Sequence, residues 1–109
     1  MYNCGMDISE LKKISQKNFD IAVAKQNERE KARSRMIMAY EGHLFLANAE
    51  TINYVSCMKG LKDSFVILDT NENPVLIENP TEFLDRLITK NQEVLNSYLQ
   101  AYKNFEKRS

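Results

Sequence analysis

Three glycines, two prolines, two cysteines and one histidine in 109 residues leave little room for several kinds of chemistry. Phosphate loops, dinucleotide fingerprints and nucleophile elbows need glycines at fixed spacing, where backbone must turn sharply or approach a ligand; none is present. Cys4 and Cys57 are too few for a disulfide framework and read as reduced thiols. With His43 the sole histidine and the cysteines far apart, no zinc-ligand spacing exists, and no cofactor is expected. No apolar run approaches the ~18 residues of a membrane span. The stretch Met1 to Glu10 lacks the basic-then-apolar order of a signal peptide. These absences lead to the expectation of a cytoplasmic, non-enzymatic protein with no membrane contact.

Net charge is missing as well. Fifteen Lys and Arg balance fifteen Asp and Glu, so global electrostatics favour neither nucleic acid nor a membrane surface. The balance hides a local asymmetry. Lys25 to Arg35 holds five basic and two acidic residues, whereas Asp69 to Asp85 holds five acidic and no basic ones. A hydrophobic content of 43 % and a charged content of 28 % fit a single folded domain over residues 1–109.

What is there is mostly helical period. Asp7 or Ser9 can cap a first helix over 7–35, along which Ile8, Leu11 and Ile14 recur, followed by Phe19, Ile21, Ala22 and Val23. Its end, Lys25 to Arg35, has Ala32 as the only apolar residue and reads as solvated. Two short apolar runs around Glu41-Gly42 then predict a hairpin over 36–47; the rival reading carries the first helix through Tyr40 and stops it at Gly42. Asn48 caps a short helix over 48–59, with Ile52, Val55 and Cys57 or Met58 facing inward and Gly60 ending it. A second hairpin spans 64–78 around Thr70-Asn-Glu-Asn73, with Pro74 at the start of a strand because it cannot donate to a ladder. The strand Phe65 to Leu68 is apolar at consecutive positions, as expected of a sheet covered on both faces. Asn79-Pro80-Thr81-Glu82 starts a long helix over 80–107, with Asn79 as cap, Pro80 in the first helical position and Glu82 reaching back. The expected fold is α+β in the order α-β-β-α-β-β-α, with long helices at both ends packed on two antiparallel hairpins.

That last helix carries apolar residues at heptad spacing, as in a coiled coil. Leu84, Asn91, Tyr98 and Phe105 lie seven apart, with Leu87/Ile88, Val94/Leu95 and Ala101/Tyr102 between them. At 1.5 Å per residue it is about 40 Å long, against a radius of gyration near ~13 Å for a compact domain of this size. Its later turns therefore need the first helix or another subunit. Asn91, Val94, Leu95, Tyr98, Tyr102 and Phe105 are the expected interface residues, with Asn91 fixing register or oligomer state. The partner would be a second copy or another protein.

Other candidates carry less. His43 heads an apolar strand and reads as structural. A Cys57/His43 nucleophile pair would need an exposed, activated thiol, whereas Cys57 sits beside Val55 and Met58 on a presumed inward face. Asp69-Thr-Asn-Glu-Asn73 opens like a calcium loop, but Pro74 stands where glycine is needed and Pro80 where glutamate is needed. Arg29, Lys31, Arg33 and Arg35 could contact nucleic acid. They spread around the helix, though, are diluted by Glu28 and Glu30, and have no interleaved aromatics.

The succession KNFDIAVAKQNEREKARSRM, HLFLANAETINYV and FVILDTNENPVLIENPTEFLDRL resembles small uncharacterised proteins of T-even-like tailed bacteriophages, from about Lys17 to the C-terminus. The resemblance implies a phage-infected bacterial cell, or the virion, as context. It suggests a particle component or assembly factor as the role, with a nucleic-acid-binding accessory or regulatory protein as the alternative. It assigns no functional residue.

Overall fold

A computed structural model of the chain describes residues 8–108; Cys4 and Asp7 lie outside them, as do the side chains of Ile8 and Leu11. The elements are α1 (Ile8–Arg35), β1 (Ile37–Tyr40), β2 (His43–Leu46), α2 (Ala49–Leu61), β3 (Phe65–Leu68), β4 (Pro74–Ile77) and α3 (Pro80–Arg108). This is the expected α+β order. The molecule is a rod measuring 73 × 23 × 23 Å. One end is a head built from both hairpins, α2 and the first half of α3. The rest is a stalk in which α1 runs antiparallel to the second half of α3, bringing Ala32 beside Val94 and Tyr98 and Lys25 over the Tyr102 ring.

Local chemistry explains most boundaries. Ser9 lies inside α1 and does not cap it. Glu41 and Gly42 both have positive φ, 49° and 81°, the two-residue turn whose twist matches that of paired strands. The chain therefore leaves the helix at Met36, and the rival reading that extends α1 through Tyr40 fails. β1 and β2 pair Ile37 with Leu46 and Tyr40 with His43, while β3 and β4 pair Phe65 with Ile77 and Leu68 with Pro74. The Asn48 side chain accepts the Thr51 N–H at 2.9 Å, and the Asn79 side chain accepts the Glu82 N–H at 3.2 Å while donating to the Glu82 carboxylate. Gly60 does not end α2. The helix continues to Leu61, and the extended Lys62 closes it by donating its N–H to the Met58 carbonyl. An exposed glycine merely weakens a helix there.

The head has one core. Phe45, Val55, Ile77, Phe83 and Leu87 are almost wholly buried, with Met38, Tyr40, Ala47, Phe65 and Val75 around them. Phe83 of α3 packs edge-on against both Tyr40 and Phe45, with ring centroids 5.0 and 4.9 Å away. Arg86, one turn on, stacks over Tyr40 and donates to the Ala39 carbonyl at 3.3 Å. The stalk is thinner. Among the described residues, Ala32, Val94 and Phe105 are its buried apolar ones. Among the described residues, no helix is long and apolar enough to cross a membrane.

Candidate functional site

Strand pairing puts alternate residues of each hairpin on opposite faces. The inner face supplies the core. The outer face carries Ile37, Leu44 and Leu46 on the first hairpin and Val66, Leu68 and Leu76 on the second, each 39–58 % exposed. The consecutive apolar residues of β3 therefore do not mean a sheet covered on both faces. α2 joins α3 against the inner core, leaving the outer face open. Between β2, β3 and α2 the surface dips into an open groove of about 530 Å³, lined by Leu46, Tyr54, Val66 and Leu68 together with Glu50, Thr51 and Thr70. Neither face nor groove was among the sites expected from sequence. The available signal was that one thirteen-residue helix cannot cover two hairpins that are apolar on both faces.

The heptad residues of α3 divide into two groups. Asn91, Val94 and Phe105 are buried within the chain, so their side chains are already covered inside one copy. The polar contacts of Asn91 lie inside one chain: its Nδ2 donates to the Ala47 carbonyl at 2.9 Å and lies 3.7 Å from the Met36 sulfur, and its Oδ1 accepts from Gln92. Tyr98 is half-buried against α1. Leu95 and Tyr102 remain exposed, joined by Ile88 and Leu99, all four 39–46 % exposed. Leu95, Tyr98, Leu99 and Tyr102 line a shallow apolar recess.

The two hairpins are clasped by polar contacts between residues 26 apart. His43 Nδ1 lies 2.7 Å from Asp69 Oδ2, and the Thr70 N–H donates to the Leu44 carbonyl at 2.9 Å. Asp69 is buried, and its other oxygen accepts the backbone N–H groups of Asn71 and Asn73. The His43 contact first, and the Asn73 N–H second, hold its carboxyl below the usual aspartate range. Asp69 thus organises the turn that resembled a calcium loop. Among the described residues, no group of three or more His, Cys, Asp or Glu could hold a metal ion. Burial, aided by the charges of Glu82 and Glu41, raises the Tyr40 phenol.

An aspartate-oriented imidazole is half of a general-base arrangement. Here the carboxylate is committed to the turn, and the His43 ring is bonded to it through Nδ1. Cys57 is exposed on α2, not turned inward; Met58 is the residue that packs on the core. Arg29, Lys31, Arg33 and Arg35 are all exposed on α1. Arg29 donates to Gln26 at 2.7 Å and Lys31 lies 3.5 Å from Glu28, so half of this set is engaged along its own helix.

No family model, curated protein or solved structure matches this chain.

Proposed function

We propose that the protein is a non-enzymatic assembly component, in which the head docks on another protein through its outer apolar face and the stalk extends from it. The observation that carries this reading is the open outer face of both hairpins. Six large apolar side chains there are roughly half exposed, and Leu46, Val66 and Leu68 of the two hairpins line one groove, the kind of apolar surface that marks a binding site on a soluble protein. The resemblance noted in the sequence supplies the context: a phage particle component or assembly factor, in the cytoplasm of an infected bacterial cell or in the virion. Nucleic-acid contact through Arg29, Lys31, Arg33 and Arg35 has less support, because these cations are not gathered on one face and two of them already have partners on α1.

Affinity capture from infected cells tests the reading. The wild-type chain should retain a partner that Leu46→Asp and Val66→Asp release. Both substitutions lie on the exposed face and leave the core side chains untouched, which a thermal melt checks. Capture of the same proteins by wild type and both variants would reject the outer face as the docking surface.

A further inference from the structure

α3 is apolar over a wider arc than α1 covers. The buried residues Leu87, Asn91, Val94 and Phe105 face inward, toward the head and α1. Ile88, Leu95, Leu99 and Tyr102 form a second stripe centred roughly 85° around the helix from the first, at 3.6 residues per turn. That offset is near the angle at which a helix of a four-helix bundle meets its two neighbours. One neighbour, α1, is present. The second stripe is where the other would lie.

We infer that the other neighbour is α3 of a second copy, packed antiparallel about a two-fold axis close to Leu95. Two observations favour a second copy. Between Ile88 and Leu99 α3 places no charged side chain on the stripe, and Gln92 and Asn96 are the exposed polar residues that border it; charge enters only at its far end, where the Lys25 ammonium lies over Tyr102 and Glu106 follows in line. A two-fold contact brings a surface against itself, so an uncharged strip avoids the self-repulsion a charged one would suffer. Of the charges that flank the strip, Asp85 and Lys103 are complementary under this operation. Asp85 and Lys103 are eighteen residues apart, about five helical turns, and so sit on the same side of α3 at opposite ends of the stripe. Their midpoint is residue 94, beside the axis. Antiparallel packing therefore sets Asp85 of each copy against Lys103 of the other, whereas parallel packing would set like against like. Both are exposed, and neither has an ion-pair partner within its own chain among the described residues.

The same operation places both copies of α1 on one side of the α3 pair, which completes four helices. It also carries the free end of each α1, with Lys12, Lys13 and Lys17, toward the partner's head, where Asp69 to Asp85 bears five acidic residues and no basic one. The inference rests on the reading that this protein works through protein contacts, and it uses a different surface from the outer face of the head.

Sedimentation of the full chain over about 1–200 µM tests it, a range suited to an interface smaller than the ~800 Å² per partner of tight complexes. Wild type should form a dimer that Leu95→Glu with Leu99→Glu abolishes. Asp85→Lys, remote from the core, should weaken the dimer about tenfold through two like-charge contacts. Adding Lys103→Asp should restore it, with both effects fading at high salt. A monomer across the range would overturn the inference, as would a dimer indifferent to Leu95→Glu, or one that Asp85→Lys leaves unchanged or tightens. None of these results bears on capture by the outer face of the head, so the two readings fail separately.

Discussion

Head and stalk are built from one continuous α3, yet they are held in different ways. In the head, Phe83 and Leu87 are surrounded by two hairpins and α2, and three aromatic rings interlock. In the stalk, α3 meets a helix whose described apolar contribution to the seam is small: Ala32 is its buried residue, and the Lys25 ammonium lies over the Tyr102 ring. A side chain enclosed on all sides gains more from burial than one covered on a single side. The head is thus a self-sufficient core, and the stalk is a half-filled interface.

The largest expected effect breaks the head. Phe83→Ala should destabilise by about 3–5 kcal/mol, a large part of the ~5–15 kcal/mol available to a domain, and denaturant unfolding should show the loss. Phe105→Ala, the matching change at a buried stalk position, should lose less, about 2–3 kcal/mol, because the thinner stalk can collapse around the vacated space. Hydrogen exchange should then quicken in α1 and the end of α3 while the head stays protected. Equal and global losses from both substitutions would show the two regions to be one cooperative unit.

Next comes acid. The Asp69 carboxyl titrates lower in the folded protein than when unfolded, so the unfolded state binds the extra proton first. Asp69 therefore contributes stability that is fully present above its unfolded pKa, near ~3.9, and is lost as pH falls through the folded value. A thermal melt series from pH 7 to 2 should show this loss, and Asp69→Asn should flatten it. The smallest effect is a gain. A methyl group at Gly60 would meet nothing within 4 Å, so Gly60→Ala should stabilise α2 by about 0.5–1 kcal/mol without touching the stalk.

The element order was legible because its signals are local. Asn48, Asn79, Pro80 and the Glu41-Gly42 turn act within four residues of themselves, and each does what its chemistry dictates. Features that depend on what arrives from elsewhere were not legible. Whether Val66 and Leu68 are buried depends on how many helices cover the hairpin, which an apolar run does not reveal. Cys57 and Met58 differ by one position, about 100° of helix, and only the placement of α2 on α3 decides which faces in. The Asp69 clasp joins residues 26 apart, and nothing near His43 in sequence announces it. In α3 the heptad spacing located the apolar arc correctly, but α1 claims Val94 and Phe105 and leaves Leu95 and Tyr102.

Asn91 lies where the last strand contact of α3 gives way to the stalk, tied to the Ala47 carbonyl and close to the Met36 sulfur. Ala47 follows β2, and Met36 is the residue between α1 and β1, so one amide touches every segment that meets at the neck of the rod. Mechanically this is a joint. Along the 73 Å length, this side chain and the Ala47 N–H bond to the Met36 carbonyl beside it link the direction of the stalk to the tilt of the first hairpin and its outer face.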